Sequence, residues 1–180
     1  MKVIIAEKPS VAQQIAAVVG ATARKDGYIE GGGYAVTWAF GHLVGPAMPE
    51  AYGIEGFKRE NLPILPETFV LEPRRVKSGK EYKPDPGAVK QLAVLKELFS
   101  RTERIVVATD AGREGELIFR FIYHYLDCKT PFDRLWISSL TERAIREGLA
   151  NIRPGSEYDD LYLSARARCE ADWIVGIKAS

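Results

Sequence analysis

Arg104-Ile105-Val106-Val107-Ala108-Thr109-Asp110-Ala111-Gly112-Arg113-Glu114-Gly115-Glu116-Leu117-Ile118 changes character twice within one run. Ile105 to Ala108 is β-branched and apolar, which suits a buried strand. The chain then breaks into small and acidic residues at Asp110, Ala111 and Gly112. From Glu116 onward the pattern is helical, with Leu117, Ile118, Phe121, Ile122 and Tyr125 on one stripe. A carboxylate therefore stands at the carboxyl end of a buried strand, the edge where open α/β sheets bind ligands. Asp110, Glu114 and Glu116 repel one another at neutral pH unless solvent, Arg113 or a bound cation relieves them. The start of a helix welcomes acids through its dipole. The same acids also form an oxygen-rich set suited to a hard cation.

The start of the chain repeats this design. Lys2 to Ala6 reads as a short buried strand, with Glu7 and Lys8 at its carboxyl end. Pro9 and Ser10 open a helix, and Ser10 and Gln13 are spaced as a capping box. Val11, Ala12, Ile15, Ala16 and Val19 form its apolar face, and Gly20 ends it. Two strand–turn–helix units side by side in a parallel sheet bring Glu7 and Asp110 together.

The totals set the frame. At 180 residues, 46% of them apolar, the chain can bury one α/β core and carry a smaller piece besides. A net charge of +1 means that partners must be read from local patches. The two cysteines, Cys128 and Cys169, lie far apart, which argues against a disulfide framework or a cysteine-based zinc site. Met1-Lys2 precedes only four apolar residues before Glu7, so no signal peptide is expected, and no run approaches membrane-spanning length. A cytoplasmic, monomeric protein without a membrane partner is the expectation.

Between the two units, Gly27 to Phe40 reads as a hairpin whose turn is Gly31-Gly32-Gly33. His42 follows, either structural or a ligand. Pro46 to Pro66 reads as an irregular excursion, and Phe69 to Pro73 as a short strand. Arg74, Arg75, Lys77, Lys80 and Lys83 face Glu81 alone, which makes either a phosphate-contacting strip or a solvated loop. Ala88 to Ser100 is an amphipathic helix with Val89, Leu92, Leu95 and Phe99 inward, crossing back to the Ile105 strand. Arg134 to Ile137 is a further strand, and Ser139 with Glu142 a second capping box for a helix to Leu149. Tyr158 to Ile177 is a long helix with Leu161, Ala165, Cys169 and Trp173 on one stripe, and Arg168 and Asp172 are spaced to pair. The chain stops at Ser180 without a helix cap, as a fragment of a longer protein would.

Five stretches, in order, resemble one family. They are Ile5-Ala6-Glu7-Lys8-Pro9-Ser10, Gly41-His42-Leu43, Ala108-Thr109-Asp110 with Arg113-Glu114-Gly115-Glu116, Leu135 to Leu140, and Ser164 to Arg168 leading to Asp172-Trp173. Together they are similar to the N-terminal part of bacterial type IA DNA topoisomerases of the topoisomerase III kind. The resemblance implies a Toprim domain over residues 1–137, a Rossmann-like α/β fold with a parallel sheet flanked by helices. Residues 138–180 would begin a helical DNA-binding domain.

It also implies a chemistry. In the family a tyrosine attacks a phosphodiester of single-stranded DNA and becomes linked to the 5′ phosphate, with Mg2+ and without ATP or another nucleotide cofactor. By motif, Glu7 is the glutamate beside the departing 3′ oxygen, Lys8 the lysine at the phosphate, and Asp110 a metal ligand. Arg168, Asp172 and Trp173 fall where the helical domain meets the DNA strand, an Arg suiting phosphate and a Trp suiting a base. The chain departs from the family at Asp110-Ala111-Gly112, where the usual pattern is Asp-x-Asp. The expectation is thus a single, weaker Mg2+ site on Glu7, Asp110 and Glu114, with Glu116 as outer support. The family's nucleophilic tyrosine falls beyond Ser180, so these residues alone are expected neither to cleave nor to relax DNA. The competing readings are a Toprim primase or nuclease, and a non-catalytic Toprim module that binds DNA or protein.

Overall fold

The computed structural model describes residues 1–52 and 69–179. Its strands are β1 (Lys2–Ala6), β2 (Ala23–Lys25), β3 (Tyr28–Gly31), β4 (Tyr34–Trp38), β5 (Val44–Pro46), β6 (Leu71–Pro73), β7 (Arg75–Ser78), β8 (Glu81–Pro84), β9 (Ile105–Ala108), β10 (Phe132–Arg134) and β11 (Arg153–Pro154). Its helices are α1 (Pro9–Val19), α2 (Pro86–Ser100), α3 (Arg113–Tyr125), α4 (Glu142–Ala150) and α5 (Asp159–Ala179).

Seven strands form one sheet in the order β11-β10-β9-β1-β4-β3-β2. The four central strands, β10, β9, β1 and β4, run parallel. Both edges are antiparallel, through β11 on one side and the β2–β3–β4 meander on the other. The α/β class is as expected, with parallel pairing confined to the sheet's centre. Side chains alternate across the pleat. Val3, Ile5, Ile105 and Val107 therefore join the core with α2, α3 and the buried Tyr162 and Ala165 of α5. Ile4, Ala6, Val106 and Ala108 join α1 and Ile145 of α4 on the other face. With both faces covered, β1 and β9 are apolar along their buried length.

Several local expectations are corrected. Helix α1 starts at Pro9, with Lys8 rather than Ser10 at its N-cap and no side-chain cap. Proline lacks the N–H that a first helical residue leaves unbonded, so it settles at that position and moves the start forward. Helix α4 is capped by Thr141, whose hydroxyl accepts from Ala144 N at 3.2 Å, and not by Ser139. On α2, Val89 is exposed because the helix is turned to bury Gln91. That amide donates to Gly27 O, Thr37 Oγ1 and Trp38 O. Tyr125 ends α3 in solvent. Strand β10 lies two residues earlier than Arg134–Ile137, because its register follows β9. Arg168 and Asp172 do not pair; the ion pair on that stretch of α5 is Arg166 with Glu170. The expected excursion is described only to Tyr52, and its remainder to Pro66 lies outside the described residues. The basic stretch is the β7–β8 hairpin. Among the described residues, no helix is long and apolar enough to cross a membrane.

Candidate active site at the carboxyl edge of the sheet

Strands β1 and β9 pair with Val3 opposite Ile105 and Ala6 opposite Ala108. Both strands therefore end at the same level, with Glu7 beside Thr109 and Asp110. The Asp110 backbone N–H donates to Glu7 Oε1 at 3.2 Å. This bond sets the Glu7 carboxyl next to the Asp110 turn. Burial, and then the neighbouring Asp110 carboxyl, raise the Glu7 carboxyl above its ordinary range, against the pull of the Asp110 backbone N–H and of Lys8. Lys8 is exposed and makes no ion pair among the described residues.

The turn that carries Asp110 is held from beneath. Thr109 Oγ1 donates to Gly115 O at 2.7 Å. The fully buried Arg134 donates to Val107 O at 3.0 Å, Thr109 Oγ1 at 3.1 Å and Asp110 O at 2.7 Å. Its Nε lies 2.8 Å from Glu116 Oε1, an ion-pair contact without hydrogen-bond alignment. The other oxygen of Glu116 accepts from Arg120 Nε at 3.1 Å. Arg120 goes on to Asp159 Oδ1 at 2.7 Å and Gly155 O at 2.9 Å, at the start of α5. Burial pushes the Glu116 carboxyl up, against the two guanidiniums that hold it down. Glu116 thus supports Asp110 through Arg134 and has no solvent face of its own. Sequence reading missed Arg120 and Arg134. The available signal was an arginine beside the apolar Leu135, and another four residues after Glu116 in an apolar helix.

Backbone conformation at the turn is specific. Gly112 caps α3 at φ 153°, a region that side-chain-bearing residues rarely adopt. A Cβ on Gly115 would lie 1.8 Å from Asp110 O, so the helix meets its own preceding turn only because position 115 has no side chain.

Glu114 does not join Glu7 and Asp110. Its Oε1 pairs with His42 Nε2, and among the described residues no three His, Cys, Asp or Glu side chains converge to hold a metal. The expected three-carboxylate set is therefore not assembled here. The loop after β4 explains the diversion: Gly41 N donates to Glu7 O at 3.3 Å, which sets His42 beside α3. His42 and Glu114 line a cavity of about 540 Å³ together with Arg113, Arg168, Cys169 and Asp172. The cavity lies between α3 and α5, and a second one of about 330 Å³ lies on the other side of the Asp110 turn. Arg168 and Asp172 thus share a cavity with His42 and Glu114, whose lining does not include Glu7 or Asp110. Trp173 is turned elsewhere: its Nε1 donates to Ala47 O at 3.1 Å, and its ring meets Phe69 and Tyr52 edge-on. That packing ties the half-buried indole to Ala47, Tyr52 and Phe69, outside the lining of the cavity.

Comparison with known proteins agrees with this layout. Residues 2–140 match the family model described as Toprim domain. The chain is 48% identical over 180 residues to DNA topoisomerase 3 of Bacillus subtilis (strain 168), covering 99% of this chain and 24% of that protein. The DNA topoisomerase 3 of Bacillus cereus (strain ATCC 14579) is also 48% identical, over 181 residues with the same coverage. The chain thus spans about a quarter of the length of these relatives. The solved structure of full-length topoisomerase I from Thermotoga maritima superposes with a TM-score of 0.51 at 26% identity, covering 84% of this chain and 21% of that one. A glutamate after the first strand, an aspartate after its parallel neighbour and a match spanning the whole sheet core lead to one conclusion: this chain belongs to the Toprim domain family.

Proposed function

We propose that this chain is the N-terminal portion, residues 1–137 Toprim and 138–180 the start of a helical domain, of a type IA DNA topoisomerase. That enzyme cleaves and reseals single-stranded DNA through a 5′-phosphotyrosine, with Mg2+ and without ATP. It works as a cytoplasmic monomer, and its nucleophilic tyrosine lies outside these residues. The observation that carries the reading is the meeting of Glu7 and Asp110 at the carboxyl edge, where the Asp110 N–H donates to Glu7 Oε1 at 3.2 Å.

The raised pKa suits Glu7 to hold a proton and deliver it to the departing 3′ oxygen, then take it back on resealing. Lys8, exposed and unpaired beside it among the described residues, offsets charge on the attacked phosphate. Arg168 and Asp172 line the cavity next to this edge and would orient the incoming strand, Arg168 through phosphate. Two facing carboxylates fit a small hard cation, which commonly binds through one or two carboxylates and keeps several waters. Asp110, and Glu7 whenever it has given up its proton, would hold Mg2+, and Glu114 would join them only on leaving His42. The ion would supply positive charge that keeps the DNA backbone in place.

The test uses the protein at its full encoded length with negatively supercoiled plasmid and Mg2+, without ATP. Wild type is expected to relax the plasmid, and Glu7→Gln and EDTA-treated wild type to leave it supercoiled. Relaxation that survives Glu7→Gln removes the role given to Glu7. No relaxation by wild type, even with a single-stranded region supplied, removes the topoisomerase reading.

A further inference from the structure

The β7–β8 hairpin takes no part in the site described above. Its two strands form a separate sheet, and all of their residues are exposed. Register places Lys77 opposite Tyr82 and Arg75 opposite Pro84, so these four share one face. Tyr82 is 64% exposed on that face, an aromatic ring that buries little against its own protein. The cations divide into two groups. Arg74 and Arg75 are neutralised, by Asp85 at 2.7 Å and Glu72 at 3.1 Å. Lys77, Lys80 and Lys83 make no ion pair among the described residues and are opposed only by Glu81.

The root of the hairpin fixes where it stands. Arg74 N donates to Leu43 O at 2.7 Å, and Asp85 N to Arg74 O at 2.7 Å. The Arg74 guanidinium lies 5.1 Å from the centre of the Phe40 ring and donates to Phe40 O at 3.1 Å. Phe40 adjoins Gly41, whose N–H bonds the carbonyl of Glu7. The hairpin is thus anchored to the loop that touches Glu7.

We propose that this hairpin is a second nucleic-acid contact, for single-stranded DNA flanking the segment held at Glu7. Tyr82 stacks on a base, and Lys77 on the same face and Lys80 at the turn meet the flanking phosphates, whereas Lys83, opposite Val76, lies on the other face. The proposal rests on the DNA reading above and extends it to a surface outside the catalytic edge. An exposed ring beside unpaired cations suits an unstacked nucleotide, because its base offers a π-face and its phosphate carries the charge. A duplex keeps its bases stacked and would use the lysines but not the ring.

The test measures binding of the full-length protein to a labelled oligo-dT and to a blunt duplex by fluorescence anisotropy, over a series of salt concentrations. Tyr82→Ala is expected to weaken oligo-dT binding by about tenfold and leave the duplex unchanged, and Tyr82→Phe to bind as wild type. Replacing Lys77 and Lys80 by Ala is expected to reduce the slope of log affinity against log salt by about 1.4 on the single strand. Oligo-dT carrying 5-iodouracil is expected to photocrosslink to the peptide containing Tyr82. Wild-type binding by Tyr82→Ala and by the lysine variant, with plasmid relaxation intact, overturns the hairpin contact and leaves the topoisomerase reading standing. Equal losses on oligo-dT and duplex overturn the single-strand assignment. Wild type that binds no oligo-dT overturns this proposal together with the DNA reading it rests on.

Discussion

The two strand–turn–helix units of this protein both carry an acid on the turn between strand and helix but hold those turns by different physics. After β1, Glu7 and Lys8 lead into α1, whose inner face is Val11, Ala12, Ile15 and Ala16. That face is apolar throughout. After β9, Asp110 leads into α3, and beneath it runs the chain Arg134–Glu116–Arg120–Asp159. The first unit rests on non-directional apolar burial, and its Glu7 carbonyl is held by a backbone N–H, from Gly41, and not by a buried side chain. The second fixes the Asp110 carbonyl by a guanidinium donor, and donors have direction. The cost is a buried charge set that must remain complete.

Removing one partner should expose this difference most strongly. Arg134→Ala is expected to lower stability by about 3–5 kcal/mol in chemical denaturation, because Glu116 stays buried with less compensation. Replacing Glu116 by Leu and Arg134 by Met together is expected to recover most of that loss while displacing Asp110, which a weakened Mg2+ thermal shift would report. If the double variant is no more stable than Arg134→Ala, the ionic account of the second unit fails. Ile15→Ala, the counterpart in the first unit, is expected to lose about 2–4 kcal/mol with no such rescue, as a plain cavity.

The second unit also depends on backbone approach. Gly115→Ala is expected to destabilise by about 2 kcal/mol, since the new methyl meets a main-chain oxygen that cannot turn aside. At Gly112 a Cβ would find no atom within 4 Å, so only conformation opposes a side chain there. Gly112→Asp, which restores the family's usual acid, is therefore expected to cost about 1 kcal/mol through its φ of 153°. Equal stability of that variant would show that the turn relaxes easily.

The smallest effect lies at the far end of α3. Burial, Arg120, Arg166 and Lys129 hold the His124 imidazole below its ordinary value of 6.5. The unfolded chain then takes up the proton first as pH falls, so stability is full above 6.5 and declines as pH drops toward the lowered value. His124→Gln is expected to flatten that decline by less than about 1 kcal/mol, measured as thermal midpoints between roughly pH 7.5 and 5. An unchanged slope would remove His124 as its source.

Read alone, the sequence determined the α/β class, the two central strands, the helices that cover them and the meeting of Glu7 with Asp110. These follow from apolar period and from parallel topology, both written locally in Ile105 to Ala108 and Lys2 to Ala6. The helix starts lie away from Ser10 and Ser139, because spacing alone does not say which hydroxyl the backbone reaches. Only tertiary structure decided that Glu114 turns to His42, that Glu116 is buried between Arg120 and Arg134, and that Trp173 packs against Ala47 and Phe69. Each of those depends on a partner 4 to 126 positions away in sequence. A carboxylate at the start of a helix has the same local pattern whether it faces water, a cation or an arginine. Which of these it meets is set by what the rest of the fold brings beside it.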